Sequence, residues 1–113
     1  MKISINKNIK IFSWESIDSS LLDFLNIIKS NLNKIDNHNI IIDLSLFKDS
    51  QNDQFKFLSE LILFTKGDLK KSFVLVQGKK NNYEFPENIL VSPTLQEAFD
   101  IIDLEEIERD LGY

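Results

Sequence analysis

The chain has 113 residues, 42% of them apolar, a formal net charge of −5 and no cysteine. That length suits one domain around a single core, and the lack of cysteine excludes disulfides, thiolate metal sites and a thiol nucleophile. Residues 94–113 hold seven acids (Glu97, Asp100, Asp103, Glu105, Glu106, Glu108, Asp110) against Arg109 alone, and without clustered cations to displace phosphate counterions nucleic acid is not an expected partner.

The opening "MKISINKNIKIF" alternates polar and apolar residues. Ile3 and Ile5, then Ile9 and Ile11, keep a period of two around "NKN", which predicts two short strands joined by a tight turn. The same stretch lacks the continuous apolar region of a secretory signal. No apolar run approaches the ~20 residues of a membrane span, so a cytoplasmic chain is expected.

Ile17, Leu21, Leu25, Ile28, Leu32 and Ile35 share one face at helical spacing. Ser16, Asp18 or Ser20 can cap the start of that helix by accepting from its free N–H groups. "DNHN" (36–39) ends it. "NIIIDL" (39–44) is a continuous β-branched run, the pattern of a strand covered on both faces in a parallel sheet.

The stretch "KDSQND" (48–53) then leads into a second predicted helix at 51–66, apolar nearly all round and followed by Gly67. "SFVLVQG" (72–78) reads as another central strand, 79–88 as a loop, and "ILVS" (89–92) as a short last strand. Thr94 with Glu97 has the spacing of a capping box at the start of the third helix. Leu95, Ala98, Phe99 and Ile102 form its buried stripe. Asp103 with Glu106 repeats the spacing and predicts a bend or restart, with Ile107 and Leu111 continuing an apolar stripe to Gly112. The order is β-β-α-β-α-β-(β)-α, an α/β fold whose central strands are parallel, joined by crossover helices packed against the sheet.

This order, with an Asp-Ser step between a central strand and the next helix, resembles the STAS family: the anti-sigma-factor antagonists and the related domains of sulfate transporters. "IIIDLSLFKDS" supplies Asp43-Leu44 and then Asp49-Ser50, and "VSPTLQEAFDII" is similar to the family's final strand-to-helix turn. The resemblance implies one STAS-like domain over residues 1–113 with a mixed sheet. It also implies a non-enzymatic role in bacterial regulation through a protein partner, a kinase or an anti-sigma-type regulator. In the antagonists the serine after that aspartate is phosphorylated; by position this is Ser50. Gln51 stands in place of the family's second serine and Asn52 in place of its glycine. Asn52 would obstruct the close backbone approach that glycine permits. The resemblance therefore carries the fold and leaves the phospho-switch degenerate.

Ser50 has two roles open to it. As a helix cap its hydroxyl accepts from a first-turn N–H. As a phosphate acceptor it would place a dianion at a helix N-terminus but between Asp49 and Asp53, which repel it; the cap is the favoured reading. His38 lacks a catalytic companion and reads as a solvated turn residue. Asp43 and Asp49 alone make a poor metal site, and the three scattered glycines form no phosphate loop. No cofactor and no enzymatic activity are expected. The partner-binding candidates are Asp49, Ser50, Gln51 and Asn52, and, on the acidic last helix, Leu104, Ile107 and Leu111; for that helix a merely solvated acidic face is the slightly favoured reading, and docking in a partner's groove the other. Two other readings stand beside this one: a small-molecule or lipid-binding domain using the apolar segment around Phe55 and Phe64, and an obligate subunit of a homo- or hetero-oligomer, a homodimer in the simplest case.

Overall fold

The computed structural model describes residues 1–15, 20–32, 38–46, 65, 71–77 and 90–112. Strand β1 (Lys2–Asn6) turns at Lys7-Asn8 into β2 (Ile9–Ser13), as the alternation predicts. Lys7 holds φ at 56°, in the left-handed region where a side chain is disfavoured. Helix α1 (Leu21–Leu32) follows. Of the three candidate caps, Ser20 is the one seen: its hydroxyl accepts from the Asp23 N–H at 3.1 Å. Strands β3 (Asn39–Asp43), β4 (Phe73–Val76) and β5 (Leu90–Ser92) complete the sheet, and helix α2 (Leu95–Asp110) closes the described chain. The predicted helix at 51–66 and the loop at 79–88 lie outside the described residues, save for Thr65, which is buried.

The sheet runs β1-β2-β3-β4-β5, with β1 antiparallel to β2 and every other pair parallel. The two isoleucine- and valine-rich runs lie side by side and point the same way, Ile40 opposite Phe73 and Ile42 opposite Leu75. Both are buried on both faces, which is why neither alternates in sequence. The result is a small α/β fold with a five-stranded mixed sheet.

Strand alternation sends successive side chains to opposite faces. One face carries Phe12, Trp14, Ile40, Ile42, Leu44, Phe73 and Leu75, covered by Leu21, Phe24, Leu25 and Ile28 of α1. Trp14 and Phe24 meet edge to face, centroids 5.4 Å apart, a geometry that the ring quadrupoles favour. The other face carries Ile9, Ile11, Ile41, Val74 and Val76, covered by Ala98 and Ile102 of α2 with Leu95, Phe99 and Ile101 at the margin.

Two expectations for the last helix change. Thr94 caps it, accepting from the Glu97 N–H at 3.1 Å, but among the described hydrogen bonds only this half of the box forms. The helix does not restart at Asp103: it is continuous from Leu95 to Asp110, and Glu106 and Arg109 are tied to the sheet one turn farther on.

Candidate functional site

Helix α2 has two unlike faces. The inner face carries Leu95, Ala98, Ile102, Glu106 and Arg109. Half a turn away, at i, i+3 and i+7, lie Leu104, Ile107 and Leu111. These three are 58%, 55% and 67% exposed, so the predicted stripe is present but faces outward. Asp100, Asp103, Glu108 and Asp110 are exposed around it.

The one base of the helix is turned away from this surface. Arg109 donates to the Ser72 hydroxyl at 3.1 Å and to Asn39 Oδ1 at 3.3 Å. Asn39, fully buried at the start of β3, also accepts from the Ser72 N–H at 2.8 Å through Oδ1. Its amide nitrogen donates to Glu106 Oε1 at 2.6 Å, and the Asn8 amide donates to the same oxygen. Each end of the Asn39 amide thus meets a group of the right polarity, donor toward carboxylate and acceptor toward guanidinium. This clamp at the amino end of the sheet fixes the rotation of α2. With Arg109 held inside, the exposed charges that α2 itself sets around this apolar stripe are all acidic.

At the carboxyl end of the sheet, where ligands of open α/β sheets bind, Asp43 accepts from the N–H and hydroxyl of Ser45 at 3.0 and 2.6 Å. Gln77, just beyond β4, is buried, and neither Nε2 nor Oε1 has a hydrogen-bond partner. By alternation Gln77 belongs to the α1 face and Asp43 to the α2 face, so they do not form one site. His38 is not the solvated turn residue expected: it is half-buried, its Nδ1 shielded and unpartnered, because β3 begins at the next residue.

The first group of predicted site residues, Asp49, Ser50, Gln51 and Asn52, lies outside the described residues, as do Phe55 and Phe64. A groove of about 210 Å³ lined by Asn6, Lys7, Ile9, Gln96, Phe99 and Asp103 is smaller than the ~300 Å³ at which ligand pockets usually begin. Among the described residues no group of three acidic, histidine or cysteine side chains is placed to hold a metal, and no helix is long and apolar enough to cross a membrane.

Comparison with protein families, with curated proteins and with solved structures gave no match.

The clamp and Gln77 were not anticipated from the sequence. Asn8, Asn39 and Ser72 each read there as turn or strand-end residues, and Arg109 as the one base among the acids of the last helix. No local pattern joins positions so far apart.

Proposed function

We propose that this chain is a non-enzymatic protein-interaction module of bacterial regulation, similar to the STAS-family anti-sigma-factor antagonists, and that its partner docks on the outer face of α2. The observation that carries the reading is the disposition of Leu104, Ile107 and Leu111: more than half exposed, on a helix whose single cation is engaged elsewhere. An amphipathic helix presents such i, i+3, i+7 anchors to an apolar groove. Because the exposed charges of α2 around the stripe are acidic, the complementary groove has a basic rim, which speeds encounter and rejects acidic competitors. The mixed sheet, with its leading hairpin and parallel centre, supports the kinship with the family.

A photo-activated crosslinker placed at Ile107 in the living cell tests this. The expected product is one discrete protein adduct, lost when Leu104 and Leu111 are both changed to aspartate and absent when the crosslinker is moved to Ser4. No adduct at Ile107, or turnover of a metabolite by the purified protein, removes the reading. The switch has its own test: Ser50→Asp weakens binding of that partner if Ser50 is a phosphate acceptor and leaves it unchanged if Ser50 is a cap.

A further inference from the structure

Among the described residues strand β1 ends the sheet, pairing with β2 and with no other strand. In a hairpin with a two-residue turn the closing pair, here Asn6 and Ile9, exchanges hydrogen bonds. Alternation extends this to Ser4 with Ile11 and Lys2 with Ser13. The far side of β2 agrees: Asn8 accepts from the Asn39 N–H and Trp14 donates to the Asp43 carbonyl, so the even-numbered residues there face β3. Within β1, Ile3 and Ile5 therefore direct their backbone N–H and C=O groups outward, off the edge of the sheet.

The same two residues have side chains 44% and 60% exposed. Both lie on the α1 face, beside their cross-strand neighbours Phe12 and Lys10. Edge strands are usually blunted by an inward charge, a proline or a bulge. The stretch Ile3-Ser4-Ile5 has none of these, and Lys2 projects from the opposite face.

We propose that this edge is occupied by β1 of a second copy of the chain, antiparallel, about a two-fold axis through Ser4. That register sets Ile3 against Ile5 of the second copy, and Ile5 against its Ile3. Both are pairs whose outward groups match, giving four hydrogen bonds between the copies. Four isoleucines meet on one face, while Lys2 lies opposite Asn6 of the other copy, so no like charges oppose. This register uses the whole extended strand and stops short of Lys7, whose positive φ ends it. The sheets join into one of ten strands, with the isologous symmetry usual for homodimers. The outer face of α2 plays no part in this contact.

Ser4 gives a sharp test because the chain has no cysteine. The axis brings Ser4 against its own copy at a non-hydrogen-bonded position, where Cα atoms stand ~4.5 Å apart, within disulfide range. The Ser4→Cys protein is expected to oxidise to a covalent dimer at least about tenfold faster than Ile3→Cys, whose thiol faces Ile5 of the second copy and not its own counterpart. Sedimentation of the unmodified chain shows a dimer. Ile5→Pro removes an N–H that β2 does not use, and Ile5→Lys leaves the backbone intact but charges the edge. Each is expected to weaken the dimer about tenfold or more with the circular dichroism of the folded chain preserved. A monomer throughout the micromolar to millimolar range overturns the proposal. So does equal crosslinking of the two cysteine variants, or a dimer that neither Ile5 substitution weakens.

Discussion

Under α1 the sheet is covered by bulk: Phe12, Trp14, Phe24 and Phe73 interlock with leucines and isoleucines, and four α1 side chains are buried. Under α2 the contact is thinner. Only Ala98 and Ile102 of that helix are buried, against β-branched residues, and the far end is held by Asn8, Asn39, Ser72, Glu106 and Arg109. Hydrophobic burial is non-directional, whereas hydrogen bonds to charged groups fix orientation. The first helix is therefore held by contact area and the second by alignment. A helix meant to present a particular surface outward needs the second kind of attachment.

Substitutions that separate the two attachments test this contrast. Phe24→Ala has the largest expected effect, about 3–5 kcal/mol lost, because a fully buried aromatic leaves a cavity that the rigid sheet cannot fill; urea unfolding measures it. Asn39→Ala removes the centre of the clamp and leaves Glu106 and Arg109 short of partners, at a cost of about 1–3 kcal/mol. Hydrogen exchange should show faster opening of α2 with α1 little changed; equal acceleration of both helices would count against the division. Thr94→Ala removes a cap worth about 1 kcal/mol, read from the thermal midpoint.

Gln77→Leu carries the opposite sign. Exchanging a buried amide with two unpartnered atoms for an apolar side chain of similar size is expected to stabilise the chain by about 1 kcal/mol. A loss of stability would mean that the amide has a use in the folded chain. Smallest of all, Leu104→Ala and Ile107→Ala should change stability by less than about 0.5 kcal/mol, as exposed positions do. Any larger change would place that surface in the folding core and weaken its assignment to a partner.

What could be read from the sequence was whatever repeats locally. The hairpin shows in the period of Ile3, Ile5, Ile9 and Ile11, α1 in the stripe through Leu21, Leu25 and Ile28, and the start of α2 in Thr94. The parallel centre was legible because a strand covered twice has no polar side to alternate with. The direction of the last stripe was not. Leu104, Ile107 and Leu111 have helical spacing whether they point in or out, and the outcome depends on Asn39 and Ser72, on other strands, engaging Glu106 and Arg109. The Asp49-Ser50 step and the apolar segment at 51–66, save Thr65, fall outside the described residues.

The parallel register also bears on how the chain reaches its fold. Only the β1–β2 turn brings neighbours in sequence together; Ile9 must find Asn39 and Ile40 must find Phe73. Loops of about thirty residues have to close before either of these two parallel pairings returns any energy; β4 and β5, with Val74 opposite Leu90, are nearer in sequence. The hairpin, formed within microseconds, would then wait for its inner neighbour with β2 still open on one side. A stopped-flow experiment should accordingly show Trp14, at the exit of β2, quenched late, with the docking of β3 and not with the turn.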